Sequence, residues 1–383
     1  MFGMAVLLFV SASVFAENSV TLPDSHPAFP TETSSAFQQL IDDAETAVGL
    51  QVYVRHGDHV WVGNSGLSDV AEQIPMGGNL PVRSASVTKL FTYTLITSLA
   101  SEGHFTLETP VENLLPEETA AGLPLSGVTV HHLLEHTSGL YNLSDDHSGL
   151  YADMWSLPRN SDARWTPMEL LEYARSQPAE SAPGEQFSYS NTNFILLGLI
   201  AEEVTGTPLH QLYRERFFEP FGMENSVVEG FDGSERIGAS YDIAGPEGES
   251  LGRDVGLFHD GQPILREDGL REISADQPAS FNAWAWASGA IATTAEDLGH
   301  FVDSGLYDSE LRLMANQDAF LAGELHDGQY GWTGGSWGIS AVAWTSPVYD
   351  VTVVVLGNAS ADVFDTSALI GPLVRTAVTQ SGD

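Results

Sequence analysis

A serine and a lysine three residues apart, Ser86 and Lys89 in the stretch SASVTKL, have the residue types and spacing of a nucleophile and its base. Lys89 is the only lysine among the 383 residues, and the other basic residues are arginines. On a helix, side chains three positions apart share a face, so the hydroxyl and the amine become neighbours. A serine hydroxyl is a weak nucleophile until a base takes its proton. A buried lysine can lose its own proton near neutral pH, whereas an arginine cannot. We therefore predict a catalytic role for this pair.

Tyr189 and Asn191 form a second motif, at the point where the loop-like stretch APGEQFSYSN meets the apolar stretch NFILLGLIAEEVTG. A phenol near a cation has a lowered pKa and can relay a proton. An amide two residues away can hold the lysine and a substrate carbonyl. Most such pairs are ordinary surface or capping residues, so this motif indicates a site only together with the first one.

Trp332, Thr333, Gly334 and Gly335 form a third motif, directly before a strand pattern. Glycines at a strand edge allow another backbone to come close. A backbone N–H in this motif, together with that of Ser86, would form an oxyanion hole. The alternative is a glycine turn between two strands, which the motif taken alone fits better.

The flanking patterns predict the elements that position these motifs. Alternating apolar residues on both sides of HGDH predict a β-hairpin, and a helix is expected from Ser86 to about Gly103. Two strand patterns at 336–346 and 349–358, followed by a helical pattern, end the chain. Residues 105–290 are typical of short helices and loops.

These patterns predict an α+β fold with one sheet built from both chain ends and a mostly helical lobe inserted between them. We place the sheet lobe at residues 34–85 and 291–380 and the helical lobe at residues 86–290. A polar linker at 17–33 precedes the sheet lobe.

The composition is that of an acidic globular protein. With 14 basic and 52 acidic residues, the formal net charge is -38. Such a surface repels nucleic acid and anionic membranes, so neither is expected as a partner. It also predicts a salt-rich habitat, where screening weakens the self-repulsion. The absence of cysteine excludes disulfides, thiolate catalysis and cysteine-bound metals.

Residues 1–16 predict a signal peptide. The apolar run from Ala5 to Ala16 ends in VFA before Glu17, although a basic start is missing. The run is too short to span a bilayer and fits a cleaved secretory signal better. We therefore expect an exported protein without a membrane span.

Taken together and in this order, the motifs resemble those of the serine β-lactamase-like hydrolases. This family includes class C β-lactamases, D-alanyl-D-alanine carboxypeptidases and family VIII carboxylesterases. The stretches VTVHHLLEHTSGL, FGMENS, ASGAIATTAEDLGHFV and VTVVVLGN extend the resemblance from about residue 35 to residue 375. The resemblance implies a β-lactamase/transpeptidase-like fold with an antiparallel sheet that carries helices on its faces, and it implies neither a cofactor nor a metal.

The resemblance also assigns roles, and the serine-lysine spacing is itself a catalytic motif. It makes Ser86 the nucleophile and makes Lys89 and Tyr189 the proton-transfer pair, without deciding which of the two is the base. It implies that Asn191 positions the site and that the Gly335 N–H is the second oxyanion donor.

The third motif departs from the family pattern, which has lysine or histidine at the place of Trp332. A cation there commonly helps to bind the free carboxylate of a β-lactam or a D-Ala-D-Ala peptide, whereas an indole has one N–H donor and no charge. Losing a charge-assisted hydrogen bond of about 1.5–3 kcal/mol weakens recognition of anionic substrates roughly tenfold to hundredfold. We therefore expect a carboxylesterase for small neutral esters. Hydrolysis of β-lactams or D-amino-acid peptides at the same site is the alternative.

Two other motifs indicate different chemistry. His132, Glu135 and His136 match the H-x-x-E-H pattern of an inverted zinc protease, but the helix is short, and a surface-exposed helix end whose histidines complement its dipole is the better interpretation. A zinc hydrolase and a non-catalytic peptide-binding protein remain as alternatives.

The stretch GGSWG around Ser336 matches the G-x-S-x-G elbow, which requires a strand, a turn and then a helix. A strand pattern follows Ser336 instead, and every histidine lies upstream of it. We therefore reject an α/β-hydrolase. Trp284 and Trp286 fit either an acyl pocket or the core.

Overall fold

The structure is a computed structural model that describes residues 26–44, 48–70, 72–145, 148–151, 153, 165–175, 177–231, 233–243, 258–259, 262–263, 270–272, 283–305, 330–361 and 364–380. The predicted signal peptide and most of the predicted linker lie outside the described residues. Within the described part, no helix is both long and apolar enough to cross a membrane.

The secondary structure is mixed, as an α+β fold requires. The helices are α1 Thr31–Asp42, α2 Thr88–Ser101, α3 Glu117–Ala120, α4 Val130–Leu134, α5 Pro167–Arg175, α6 Asn191–Thr205, α7 Leu209–Tyr213, α8 Ala295–Asp303 and α9 Ile370–Gln380. Short 3-10 turns lie at Ala85–Val87, Val111–Asn113, Ser234–Arg236, Ala283–Ser288 and Thr366–Leu369, and a π turn lies at Arg214–Phe218. The strands are β1 Leu50–His56, β2 His59–Ser65, β3 Leu67–Asp69, β4 Ile74–Pro75, β5 Val82–Arg83, β6 Val227–Val228, β7 Tyr241–Ile243, β8 Phe258–His259, β9 Gln262–Pro263, β10 Leu270–Glu272, β11 Ile291–Thr293, β12 Tyr330–Ser336, β13 Ile339–Ser346 and β14 Val351–Gly357.

The main sheet joins both ends of the chain. Its five strands have the order β12-β13-β14-β1-β2, and every neighbouring pair is antiparallel. Strand β1 pairs with β14 over its whole length, from Leu50 opposite Gly357 to His56 opposite Val351. The prediction of one antiparallel sheet built from both chain ends is confirmed.

The predicted N-terminal hairpin is also confirmed, and its turn is Gly57-Asp58 between His56 and His59. At the C-terminal end, one prediction was wrong. Residues 332–335 were expected to lead into a strand that begins at Ser336, but they lie within strand β12, which ends at Ser336, and a turn at Trp337-Gly338 connects it to β13. A glycine-rich segment has little strand preference of its own, and cross-strand pairing with β13 supplies the order that the local sequence does not indicate.

Two apolar clusters cover the two faces of the sheet. Helices α1 and α9 pack on one face, against alternate side chains such as Val52, Val342 and Val353. Helix α8 and the helical lobe pack on the other face, against Tyr53 and Val354. Because successive strand side chains point to opposite faces, apolar strands of this kind are buried on both sides. The predicted helix after Ser86 is α2, and its side chains from Thr88 to Ile96 are all buried.

A small sheet of β5, β11 and β6 fixes the segment that leads to Ser86. In it, the Arg83 guanidinium forms a two-pronged ion pair with Glu229, with N···O distances of 2.9 and 2.8 Å. The exposed fractions of the two side chains are 2% and 0%, and Arg83 also donates to the Gly238 carbonyl. The pair therefore ties β5 to β6 in a dry environment, two residues before the turn that carries Ser86.

We expect Glu229→Gln to lower the free energy of unfolding by about 3–5 kcal/mol, because removing one partner leaves the other charge buried without compensation. Denaturant unfolding measures this change. The matched control is Glu219→Gln, since the Arg214–Glu219 pair at 3.7 Å is exposed on both sides and should contribute about 0–1 kcal/mol. Equal losses in the two variants would contradict the structural role given to the buried pair.

Candidate active site

Ser86 lies in a strained turn that the small sheet holds in place. The turn Ala85–Val87 directly precedes α2, and Ala85 has a φ of +45°, a backbone region that non-glycine residues rarely adopt. Next to it, the Ser84 N–H and hydroxyl both donate to the Ile291 carbonyl, at 3.0 and 2.8 Å. Backbone strain of this kind persists only where the surroundings fix the conformation, and here β11 does so.

The structure brings the three predicted proton-transfer groups together. Lys89 Nζ donates to Ser86 Oγ at 3.1 Å, and Ser86 Oγ lies 2.8 Å from Tyr189 Oη. Both distances are those of direct hydrogen bonds. A proton can therefore move between the hydroxyl and either neighbour without a bridging water.

Lys89 is completely buried, and its surroundings come from the turn Ala283–Ser288, the loop before α6 and α6 itself. Its ammonium donates to the Ser288 carbonyl at 2.7 Å. It also lies 5.0 Å from the centre of the Tyr189 ring and 5.3 Å from that of Phe194, within the range of a cation–π contact. Arginine could not replace Lys89, because the guanidinium group is larger than the ammonium and does not lose its proton in proteins.

The turn Ala283–Ser288 carries the carbonyl that Lys89 contacts, and this turn is strained as well. Trp286 has a φ of +37°, and Thr92 on α2 donates to the Ala287 carbonyl at 2.5 Å. Trp284 and Trp286 are only 5% and 6% exposed. The core interpretation of both tryptophans is therefore confirmed, in a segment that also touches the site.

Asn191 is the first residue of α6, and it joins the site to a neighbouring loop. Its side-chain oxygen accepts from Tyr189 Oη at a long 3.5 Å, while its amide donates to Ser144 Oγ at 2.7 Å. The Asn191 N–H donates to the Asn142 side chain at 3.0 Å. Asn191 is thus held beside Tyr189 from outside the helix, which fits the predicted positioning role.

The third motif lies against the turn that carries Ser86, along the edge strand β12. A Cβ added at Gly334 would come within 2.2 Å of the Ser84 carbonyl and 3.1 Å of the Ser86 nitrogen. Only glycine allows this approach. A Cβ at Gly335 would meet no described atom within 4 Å, and because successive strand residues point to opposite sides, that open direction is the one away from the Ser84–Ser86 turn.

The other two residues of this motif differ in burial. Thr333 is half-buried, whereas Trp332 is only 4% exposed and packs into the core. The ring of Trp332 therefore belongs to the core and offers little surface to a substrate. The position holds a neutral indole whose ring is almost entirely covered.

A cluster of three aromatic side chains lies on segments that reach the site. The Tyr151 ring centre is 5.6 Å from that of Trp284 and 4.4 Å from that of Trp337. Trp284 precedes Ser288 in the turn that contacts Lys89, and Trp337 follows Gly335 by two residues. No pattern in the sequence indicates Tyr151 as part of this cluster.

The H-x-x-E-H residues are not arranged as a metal site. His132 belongs to a capping box at the start of α4, where its Nδ1 accepts from the Thr129 N–H at 3.1 Å. Glu135 caps the other end of the helix, and His136 follows with a φ of +53°. Among the described residues, no group of three histidine or carboxylate side chains is placed to hold a metal ion.

We predicted that the histidines of this motif lie exposed at the helix end. This prediction was wrong for His136, which is only 1% exposed. Its positive φ turns the side chain inward, where the ring centre lies 4.5 Å from that of Tyr189. The sequence motif HTSG marks a turn after the helix but does not show which way the histidine points. His136, Ser288 and the loop residues Asn142 and Ser144 are therefore the parts of the site that sequence reasoning missed.

Ser336 is confirmed not to be an elbow nucleophile. It is the last residue of β12, and the turn after it leads to another strand, not to a helix. The strand-turn-helix geometry of that motif is therefore absent from this described segment.

Comparison with known proteins gives a consistent family. The family profile described as Beta-lactamase matches residues 37–370. The chain is 31% identical over 243 residues to esterase EstB of Burkholderia gladioli, which covers 62% of this chain and 57% of the esterase. It is 26% identical over 209 residues to the D-alanyl-D-alanine-carboxypeptidase/endopeptidase AmpH of Escherichia coli strain K12, which covers 54% of this chain and 51% of that protein. The matches thus span between half and three-fifths of these relatives.

The fold is shared with solved structures of low sequence identity. The D-amino acid amidase of Ochrobactrum anthropi SV3 has a TM-score of 0.70 at 23% identity, over 92% of this chain and 99% of that chain. A penicillin-binding protein of Bacillus halodurans has a TM-score of 0.65 at 23% identity, over 88% and 99% of the two chains. These neighbours confirm the predicted β-lactamase/transpeptidase-like architecture.

We expect His136 to make the protein less stable in acid. Burial, and then the nearby Lys89 charge, lower the pKa of His136 from 6.5 to about 3. Between these values the unfolded chain binds a proton that the folded chain does not, so stability falls as the pH falls from about 6.5 towards 3. For this group alone the loss between pH 7 and pH 5 is about 2 kcal/mol. Urea unfolding at both pH values should therefore show a difference about 2 kcal/mol smaller in His136→Asn than in the wild type, and equal differences would contradict the assignment.

Proposed function

The chain belongs to the Beta-lactamase family, and from this premise we propose that it is a serine hydrolase that forms a covalent acyl-enzyme on Ser86. The observation that carries the proposal is the contact of one hydroxyl with two proton carriers, Tyr189 Oη at 2.8 Å and Lys89 Nζ at 3.1 Å. A hydroxyl held in this way can pass on its proton as its oxygen attacks a carbonyl carbon.

The proposed reaction has two acyl-transfer steps. In the first, Ser86 Oγ bonds to the substrate carbonyl carbon while its proton passes to the Lys89–Tyr189 pair, which enters the step with one site free for it, as the neutral amine of Lys89 or as a Tyr189 phenolate beside the Lys89 ammonium. The bond to the leaving alcohol then breaks, and the alcohol takes a proton back from the pair. In the second step, water attacks the acyl-enzyme and gives its proton to the pair, which returns it to Ser86 as the acid leaves. Both groups contact Ser86, so we assign the proton to the pair as a unit.

We propose the backbone N–H groups of Ser86 and Gly335 as the oxyanion donors. The fit of Gly334 against the turn supports this, because it holds the β12 edge beside the Ser86 nitrogen. Rigid donors placed in advance stabilise the tetrahedral intermediate without reorganising during the reaction.

We propose small neutral esters as the substrates. The position that commonly holds a carboxylate-binding cation is Trp332, whose indole is buried and uncharged. The half-buried rings of Tyr151 and Trp337, whose centres are 4.4 Å apart, provide an apolar surface for an acyl group. The similarity to an esterase supports the same class. Hydrolysis of β-lactams or D-amino-acid peptides at this site is the second candidate, which the similarity to a carboxypeptidase favours.

The setting of the protein is also a proposal. The apolar segment before Glu17 supports export, and the net charge of -38 supports a salt-rich environment and argues against nucleic-acid partners. The lobe boundaries at residues 34–85, 86–290 and 291–380 likewise remain a prediction.

We expect Ser86→Ala to lower kcat/KM for p-nitrophenyl butyrate by roughly a thousandfold or more, because no oxygen remains to form the acyl-enzyme. The control is Ser336→Ala, which should keep wild-type turnover. Full turnover in folded Ser86→Ala protein would end the hypothesis. A fluorescent phosphonate that leaves wild-type Ser86 unlabelled would favour a non-catalytic binding protein, and chelator inhibition with one zinc per chain would favour a metallohydrolase.

We expect Trp332→His to raise the ratio of kcat/KM for nitrocefin to kcat/KM for the ester, roughly tenfold to hundredfold. An imidazole at this position can donate a charge-assisted hydrogen bond of about 1.5–3 kcal/mol to the β-lactam carboxylate. The matched control is Trp344→His, since Trp344 is also 4% exposed but packs in the cluster on the opposite face of the sheet. A ratio that stays the same in folded Trp332→His protein would refute the carboxylate argument.

A further inference from the structure

His136 contacts the Tyr189 ring and the residues on both sides of it in the chain. Its backbone carbonyl accepts from the Ser188 N–H at 2.8 Å, and its Nδ1 accepts from the Ser190 N–H at 3.1 Å. The residues on both sides of Tyr189 are therefore bonded to one histidine. The imidazole itself lies beneath the phenol, with ring centres 4.5 Å apart and a tilt of 32°.

The hydrogen bonds define the state of the imidazole. Nδ1 accepts from the Ser190 N–H and lies 3.3 Å from the Asn193 amide, so it carries no hydrogen. In a neutral ring the hydrogen is then on Nε2, which is buried and has no hydrogen-bond partner among the described residues. A buried donor without an acceptor destabilises a fold. Its presence beside Tyr189 indicates that the ring serves the site and not stability.

The neighbouring groups favour the neutral ring. Phe194 and Phe187 flank the imidazole at 5.2 and 5.8 Å, and the Lys89 ammonium opposes a second positive charge nearby. A neutral ring leaves Lys89 as the cation that faces Tyr189. The phenol ring then contacts both the imidazole and the ammonium, and its oxygen contacts Ser86.

We propose that His136 is the positioning residue of the proton-transfer pair, and that it holds the Tyr189 phenol on Ser86 as a neutral imidazole with its hydrogen on Nε2. The inference rests on the proposed function, because it acts through Tyr189. Three properties are needed at this position: a flat ring to stack, an acceptor for the Ser190 N–H, and tolerance of a positive φ. Asparagine provides the last two, and phenylalanine provides only the ring, so histidine combines what neither does.

The test uses His136→Asn and His136→Phe in the full chain, with kcat and KM measured on p-nitrophenyl butyrate. We expect kcat to fall tenfold to a hundredfold in both variants, as for a misplaced catalytic group, while KM changes less than about threefold. The alkaline limb of the pH profile of kcat/KM should move as well, because the proton-transfer pair has lost its geometry. The matched control is His132→Asn, which removes a helix cap from the same motif and should leave kcat and the pH profile unchanged.

A double-mutant cycle distinguishes positioning from a general structural role. In a Tyr189→Phe background, His136→Asn should change kcat less than about twofold, because the group that it positions is already gone. An equal fold-loss in both backgrounds would overturn the proposal, as would a folded His136→Asn variant with wild-type kcat and pH profile.

If the variants do not fold, a measurement on the wild-type protein tests the proposal instead. Nitrogen-15 NMR of the histidines should show one ring with its hydrogen on Nε2 that stays neutral throughout the activity range, and its absence would overturn the inference. The proposed function fails separately, if wild-type Ser86 neither turns over the ester nor reacts with the phosphonate.

Discussion

The buried ammonium of Lys89 is the constraint on which the site depends. Removing such a charge from water costs roughly several kcal/mol even after the protein relaxes, so the surroundings must compensate for it. The Ser288 carbonyl, the Ser86 hydroxyl and the faces of two aromatic rings do this. These partners come from distant parts of the chain, so burying one amine requires that the turn before α2, the loop before α6 and the segment before β11 meet at one point.

Strain is concentrated where these segments meet. Five described non-glycine residues have a positive φ, and three of them, Ala85, His136 and Trp286, lie in the segments that enclose Ser86, Tyr189 and Lys89. Such conformations cost of order 1–3 kcal/mol each. The apolar cores and the Arg83–Glu229 pair supply the stability that allows the strain to persist. The rigid scaffold thus serves to hold local conformations that the chain would not adopt alone.

Sequence patterns predicted the features that depend on residues close together in the chain. The serine-lysine pair, the N-terminal hairpin and helix α2 follow from spacing, alternation and a glycine stop signal. The inward turn of His136 and the strand at residues 330–336 did not follow, because tertiary contacts decide both. Sequence also does not show how deeply an aromatic residue is buried, and Trp332 is core. Ser144 contacts Asn191 from a distant part of the chain, and no sequence pattern around Ser144 indicates this contact.

The arrangement separates the chemistry of the site from its selectivity. Of the groups that move protons, Lys89 is buried on α2, while Ser86 and Tyr189 lie half-buried just before α2 and α6, so a change at any of them alters the surroundings of the buried amine. The groups proposed to choose the substrate lie on the edge strand β12 and at Tyr151 and Trp337, none of which makes a hydrogen bond to Lys89 among the described contacts. An edge strand pairs on one side only, so its free side is available to a substrate backbone or carbonyl. Such a division is the arrangement expected in a family whose members include proteins named esterase and carboxypeptidase.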